Sequence, residues 1–139
     1  MLALDTNVLA RYYVAEEDAS RATLAQCEAA RRTLESGAQL FVAKTVLLEL
    51  EWVLRGAYGL ARRDVLRAFE HLLALPNVEV EDRGTVESAL AGLRAGLDFA
   101  DALHHASGRA CAAFLTFDAR RFARRARRLA LTPPVRIAQ

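Results

Sequence analysis

The chain has 139 residues, 53% hydrophobic and 26% charged, with a formal net charge of +2. That length suits a single domain over residues 1–139, and the apolar share supports a packed core and argues against a disordered chain. Net charge selects no partner, but its distribution does: Arg120, Arg121, Arg124, Arg125, Arg127 and Arg128 crowd into one short stretch. Such a stripe suits a phosphate-bearing partner or, equally, a solvated helix face. No apolar run approaches membrane length and no secretory leader pattern opens the chain, so no membrane association and a cytoplasmic location are expected. Cys27 and Cys111 have no zinc spacing and read as small core residues within helices.

In chain order, Leu2–Leu4 reads as a buried strand and Val8 to Tyr13 as a short helix. A second helix is expected from an Asp18 cap to about Glu35, stopped by Gly37. Leu40–Val42 follows as a strand, and Thr45 is expected to cap a helix that breaks between Gly56 and Gly59. Val65, Leu66, Phe69, Leu72 and Leu73 carry helical spacing up to Ala74. Val78–Val80 is a strand, Thr85–Ala95 a helix ending at Gly96, and Asp98 the cap of a helix to about Arg109. Ala112–Leu115 is a strand, Asp118 caps a short Arg-rich helix, and Val135–Ile137 is a last strand. Alternating strands and helices predict an α/β fold with a central parallel sheet flanked by helices.

Against that plan, Asp5, Glu49, Asp101 and Asp118 all stand in apolar sequence. Acids are rarely buried unless paired or bound to metal. Asp5 and Asp118 follow strands, and Glu49 and Asp101 lie in the first turns of helices that follow strands. All four are therefore expected on the C-terminal rim of a parallel sheet, where ligands gather. Converging carboxylates repel, and Mg²⁺ or Mn²⁺ relieves that repulsion while supporting displacement at phosphorus. Metal-assisted phosphodiester hydrolysis is the chemistry this set favours. The bland alternatives are helix caps for Asp5, Asp98 and Asp118 and a dipole-matched first-turn acid for Asp101. Glu51 is expected on a solvated face.

The remaining polar candidates are weaker. Thr6 and Asn7 are placed to support Asp5, and Thr116 to support Asp118, though turn and cap roles serve as well. His105, four residues after Asp101, shares its helix face, whereas His104 is expected to point elsewhere and His71 has no evident partner. No nucleophile elbow or glycine-rich phosphate loop is present.

Four segments carry a resemblance: Leu4-Asp5-Thr6-Asn7-Val8-Leu9, Leu48-Glu49-Leu50, Asp98-Phe99-Ala100-Asp101-Ala102-Leu103-His104 and Leu115-Thr116-Phe117-Asp118. In order and over essentially the whole chain, they resemble the four acidic motifs of PIN-domain nucleases, and the length resembles the VapC-type toxins of toxin–antitoxin pairs. The resemblance implies a three-layer α/β/α fold and an endoribonuclease dependent on Mg²⁺ or Mn²⁺. It further implies a homodimer, an RNA substrate and a small cognate antitoxin protein. Asp5, Glu49, Asp101 and Asp118 match the catalytic, metal-binding positions. Asp98 matches an additional metal-binding acid found in part of the family, and Asn7 and Thr116 match supporting positions. On this reading Arg120, Arg121, Arg124 and Arg125 hold RNA phosphates.

Three other readings compete. A HAD-type phosphatase needs a second acid where Asn7 stands, and a receiver domain needs paired acids after its first strand. A non-catalytic metal- or RNA-binding module of the same fold is the main alternative.

Overall fold

The computed structural model describes residues Met1–Gln139. They divide into two compact units, Met1–Arg83 and Gly84–Gln139. The first unit contains β1 (Leu2–Ala3), α1 (Thr6–Tyr13), α2 (Arg21–Glu35), β2 (Leu40–Val42), α3 (Lys44–Trp52), α4 (Arg62–Ala74) and β3 (Val78–Val80). A π-helical turn over Val53–Ala57 extends α3.

The three strands pair in parallel in the order β1-β2-β3, with Leu2 opposite Leu40 and Leu40 opposite Val78. Parallel neighbours cannot be joined by a tight turn, so helices fill both connections. The middle strand is the most enclosed: Leu40 and Val42 are fully buried, along with Leu9, Leu47, Leu50, Leu54, Phe69 and Leu72. Burying a side chain of this size contributes about 1.5–3 kcal/mol.

Several helix starts differ from expectation. Ser20, not Asp18, caps α2, its hydroxyl accepting from the Thr23 N–H at 3.1 Å. Thr45 does not cap α3. The helix starts at Lys44, whose N–H donates to the Glu81 carboxylate at 2.8 Å, so the cap comes from just after β3. The Lys44 ammonium lies 3.2 Å from Asp82 Oδ2. His71 does have a partner, since its Nδ1 is hydrogen-bonded to the Tyr13 hydroxyl at 2.9 Å. Burial, then the neighbouring Tyr12, pushes the Tyr13 phenol well above its usual range.

The second unit holds α5 (Arg83–Arg94, whose first residue belongs to the preceding unit), α6 (Phe99–Ser107), β4 (Phe114–Thr116), α7 (Arg124–Arg128) and β5 (Val135–Ile137). A π-helical turn over Ala119–Ala123 leads into α7. β4 and β5 pair in parallel, with Phe114 opposite Val135 and Thr116 opposite Ile137. The expected parallel pairing thus holds in both units, in a three-stranded and a two-stranded sheet.

An aromatic cluster stands beside β4: the His105, Phe114 and Phe122 rings lie 5.6–6.2 Å apart. At Gly92 a Cβ would fall 2.9 Å from the Cβ of Ala102, so the approach of α5 to α6 requires glycine. Helix α6 ends at Ser107, before the expected Arg109, and Cys111 lies exposed beyond it rather than in a helical core. Cys27 is half-buried on α2. No helix is long and apolar enough to cross a membrane.

Candidate functional site

In the first unit the chain leaves β1 through buried Leu4 and exposes Asp5 at once. Extended backbone at Asp5 (φ −84°, ψ 159°) lets its Oδ1 accept from the Thr6 N–H at 2.8 Å, so Asp5 caps α1. Capping uses one oxygen and leaves the other side of the carboxylate available. Thr6 is 2% exposed and its hydroxyl has no hydrogen-bond partner. An orphaned buried hydroxyl costs about 1–3 kcal/mol, so it marks a position where a polar group is tolerated rather than favoured by packing. It is the backbone of Thr6, not its hydroxyl, that supports Asp5. Asn7 is exposed in the first turn of α1.

Glu49 is exposed on α3, between the fully buried Leu47 and Leu50. Glu51 overturns its expected solvation: it is buried, and its Oε1 accepts from Arg55 Nε at 2.8 Å. The reason is helical spacing. Leu47, Leu50, Glu51 and Leu54 form one i, i+3, i+4, i+7 stripe, so Glu51 faces inward and Glu49 outward.

In the second unit Asp98 caps α6, its Oδ1 accepting from the N–H groups of Ala100 at 3.0 Å and Asp101 at 3.3 Å. Asp101 follows in the first turn, half-buried. Its carboxyl pKa is raised above its ordinary value, chiefly by burial and then by the carboxylates of Asp98 and Asp118; His104 and Arg125 oppose the rise. Asp118 is exposed, and its Oδ1 accepts from the Arg121 N–H at 2.9 Å. The Asp118 N–H donates to Thr116 Oγ1 at 3.0 Å. Thr116 therefore fixes the backbone of Asp118 rather than its carboxylate.

The two histidines exchange the places expected of them. His105 is buried, its Nε2 2.8 Å from the Pro133 carbonyl, and belongs to the aromatic core. His104 is exposed and acts on Asp101. The signal was available, since i, i+3 places residues on one helix face as surely as i, i+4. Among the arginines, Arg120, Arg121 and Arg124 are exposed. Arg125 is half-buried, and its Nη1 donates to the Gly96 carbonyl at 3.2 Å.

Within neither unit do three or more His, Cys, Asp or Glu side chains gather closely enough to enclose an ion. The donor chemistry nevertheless fits a hard divalent cation. Asp98, Asp101 and Asp118 are oxygen donors, and burial together with the other two carboxylates disfavours the charge of Asp101, a penalty that a bound cation offsets. Carboxylate oxygens suit a hard divalent cation better than zinc, which favours sulfur and nitrogen ligands.

No curated protein matches the chain. The family model of the PIN domain matches residues 2–128, a span that includes every acid discussed above. This is the family whose three-layer α/β/α class the sequence implied, and the helix-rich, all-parallel architecture agrees with it. A match over most of the chain means that this chain belongs to the PIN domain family.

Proposed function

We propose that this chain is a metal-dependent endoribonuclease in which Asp5, Glu49, Asp101 and Asp118 are the catalytic carboxylates. Membership of the PIN domain family gives nuclease chemistry, and hence hydrolysis, as the general class. The observation that supports the finer reading is the setting of Asp101: Asp98 caps its helix through the Asp101 N–H, and burial with the Asp98 and Asp118 carboxylates raises its pKa, a cost that a cation would offset. When bound, Mg²⁺ or Mn²⁺ supplies Lewis acidity for phosphodiester hydrolysis.

The chain's own residues prepare that chemistry. Asp98 sets the start of α6 and so the direction of Asp101. Thr116 and the Arg121 N–H fix Asp118. His104 and Arg125 favour the ionised form of Asp101. The exposed guanidinium groups of Arg120, Arg121 and Arg124 provide salt-dependent, sequence-independent hold on RNA phosphates.

The family match runs across both units, which supports reading residues 1–139 as one nuclease domain. The order of its acidic motifs supports a VapC-type toxin that acts in the cytoplasm, dimerises and is silenced by a small antitoxin. Trp52, 62% exposed, and Leu24, 56% exposed, give the first unit apolar surface for such protein contacts. A second reading, a non-catalytic metal- or RNA-binding module, is supported by the exposed Arg120, Arg121 and Arg124, whose phosphate contacts need no cleavage.

Incubation of purified protein with total RNA and Mg²⁺ or Mn²⁺, beside Asp5→Asn and an EDTA control, separates the two. Discrete fragments that disappear in both controls are expected. RNA binding without cleavage by folded, antitoxin-free protein would favour the module.

A further inference from the structure

We infer that Phe117 is a stacking platform for a base of single-stranded RNA, set beside the fourth acid. The inference rests on the nuclease reading and extends it to how substrate is held.

Phe117 is 84% exposed, the most exposed of the large hydrophobic side chains. The other aromatic residues around β4 behave differently: Phe122 is buried and Phe114 half-buried, and both rings pack with His105. Phe117 is thus left out of a core that accepts its neighbours. It is also rigidly based. Its carbonyl accepts from the Ala119 N–H at 3.0 Å, and on either side the Asp118 N–H is bonded to Thr116 and the Asp118 carboxylate to the Arg121 N–H. A ring on a fixed turn loses little freedom when a flat ligand covers it.

Charge complementarity selects the occupant. Arg120, Arg121 and Arg124 are exposed within the next seven residues, and Arg136 is exposed on β5 opposite Leu115, two residues before Phe117. An exposed apolar ring in a segment rich in exposed arginines matches a ligand with a flat face and a phosphate backbone. Unpaired bases stack on aromatic side chains whatever their identity, whereas bases within a duplex already stack on one another. The ring therefore favours single-stranded RNA without choosing its sequence.

The test measures equilibrium binding in EDTA, so cleavage plays no part. Fluorescence anisotropy compares a labelled mixed-sequence oligoribonucleotide of about 12 nucleotides, long enough to span one single-strand site, with an abasic oligomer of equal length. Phe117→Ala should weaken binding of the base-bearing strand about tenfold, within the range of one lost stack, and leave the abasic strand unchanged. Phe117→Trp should restore affinity, and its added fluorescence should be quenched by the base-bearing strand beyond the signal from Trp52. Phe117→Leu should not restore it. Equal weakening on both probes, or no weakening, would overturn the inference and leave the ring to a protein contact. If the unaltered protein binds neither probe, the RNA reading falls and this inference with it.

Discussion

Asp98 holds the backbone of Asp101 and opposes the charge of its side chain. The Asp98 carboxylate accepts from the Asp101 N–H at 3.3 Å, and the same carboxylate raises the pKa of the Asp101 carboxyl. One residue therefore builds the helix that presents the acid and makes the ionised acid costly until another charge arrives. Substitution separates the two effects. Asp98→Asn keeps an amide oxygen for the cap and should alter stability little, whereas Asp98→Ala should lose about 1 kcal/mol. Thermal or urea denaturation reads this directly. Cleavage retained in the Asn variant would reduce Asp98 to capping; cleavage lost at unchanged stability would make it a ligand.

Asp101 predicts a pH effect in metal-free protein. Its pKa is raised in the folded state above the ordinary 3.8. The native state then holds the extra proton between those two values, so stability falls as pH rises through that window. Stability from this source is complete below about pH 3.8 and absent above the raised pKa. Asp101→Asn removes the effect. At neutral pH the variant should melt about 1–3 °C higher than the parent, a small gain because the carboxylate is more than half solvated. The difference should vanish toward pH 3.8. A variant that melts lower at pH 7 would contradict the electrostatic account. The same substitution should abolish cleavage.

Much of the fold was legible because it rests on local rules. The segments Leu40–Val42, Val78–Val80 and Val135–Ile137 are strands where apolar runs bounded by turn residues placed them, and Asp98 and Asp118 cap as their positions imply. What stayed hidden depended on partners distant in sequence. Glu81 caps α3 from 37 residues away, so no local pattern at Thr45 could show it. His105 is drawn inward by Pro133 and two phenylalanines, which the 101–105 spacing does not reveal. Around the proposed acids, Thr116 beside Asp118 and His104 three residues after Asp101 lie within reach of local spacing, while the bond from Arg125 to the Gly96 carbonyl, 29 residues away, emerged only from geometry.

Gly92 tests the packing of α5 against α6. A methyl group there would meet the Ala102 Cβ at 2.9 Å and Leu97 Cδ1 at 3.1 Å. Leucine can yield by rotation, but the Ala102 Cβ moves only with its helix. Gly92→Ala should therefore destabilise by about 1–3 kcal/mol through overpacking, offset by about 0.5–1 kcal/mol from better helix propensity. The paired change Gly92→Ala with Ala102→Gly should recover part of the loss, which a double-mutant cycle would measure. Additive losses would place the strain elsewhere.

Arg124 and Arg125 should differ despite adjacency. Arg124 is exposed, while Arg125 donates to the Gly96 carbonyl at 3.2 Å and opposes the pKa rise of Asp101. Arg124→Ala should lower the salt dependence of single-stranded RNA binding by about 0.7 in the log–log slope, the share of one phosphate contact. Arg125→Ala should lower stability and change the slope less. Binding titrations across a range of salt concentrations decide the matter, and identical slopes for Arg124→Ala and the parent would remove Arg124 from the RNA surface.

Glu49 and Glu51 carry the sharpest contrast, because they have the same side chain two positions apart on one helix. Glu51 is 5% exposed and its Oε1 meets Arg55 Nε at 2.8 Å, whereas Glu49 is exposed. A buried carboxylate depends on its partner, and Arg55→Ala would leave Glu51 with less compensation in an enclosed setting. That loss should cost about 1–3 kcal/mol, as for other buried groups stripped of a partner. Glu51→Gln retains shape and an acceptor oxygen and should cost less than Arg55→Ala. Glu49→Gln should stay within about 0.5 kcal/mol of the parent, as surface substitutions do, and should abolish cleavage of RNA. Denaturation curves and cleavage assays on the same preparations measure both sides. If Glu49→Gln cleaves normally while Glu51→Gln, still folded, does not, the inward acid is the functional one and the assignment of Glu49 is wrong.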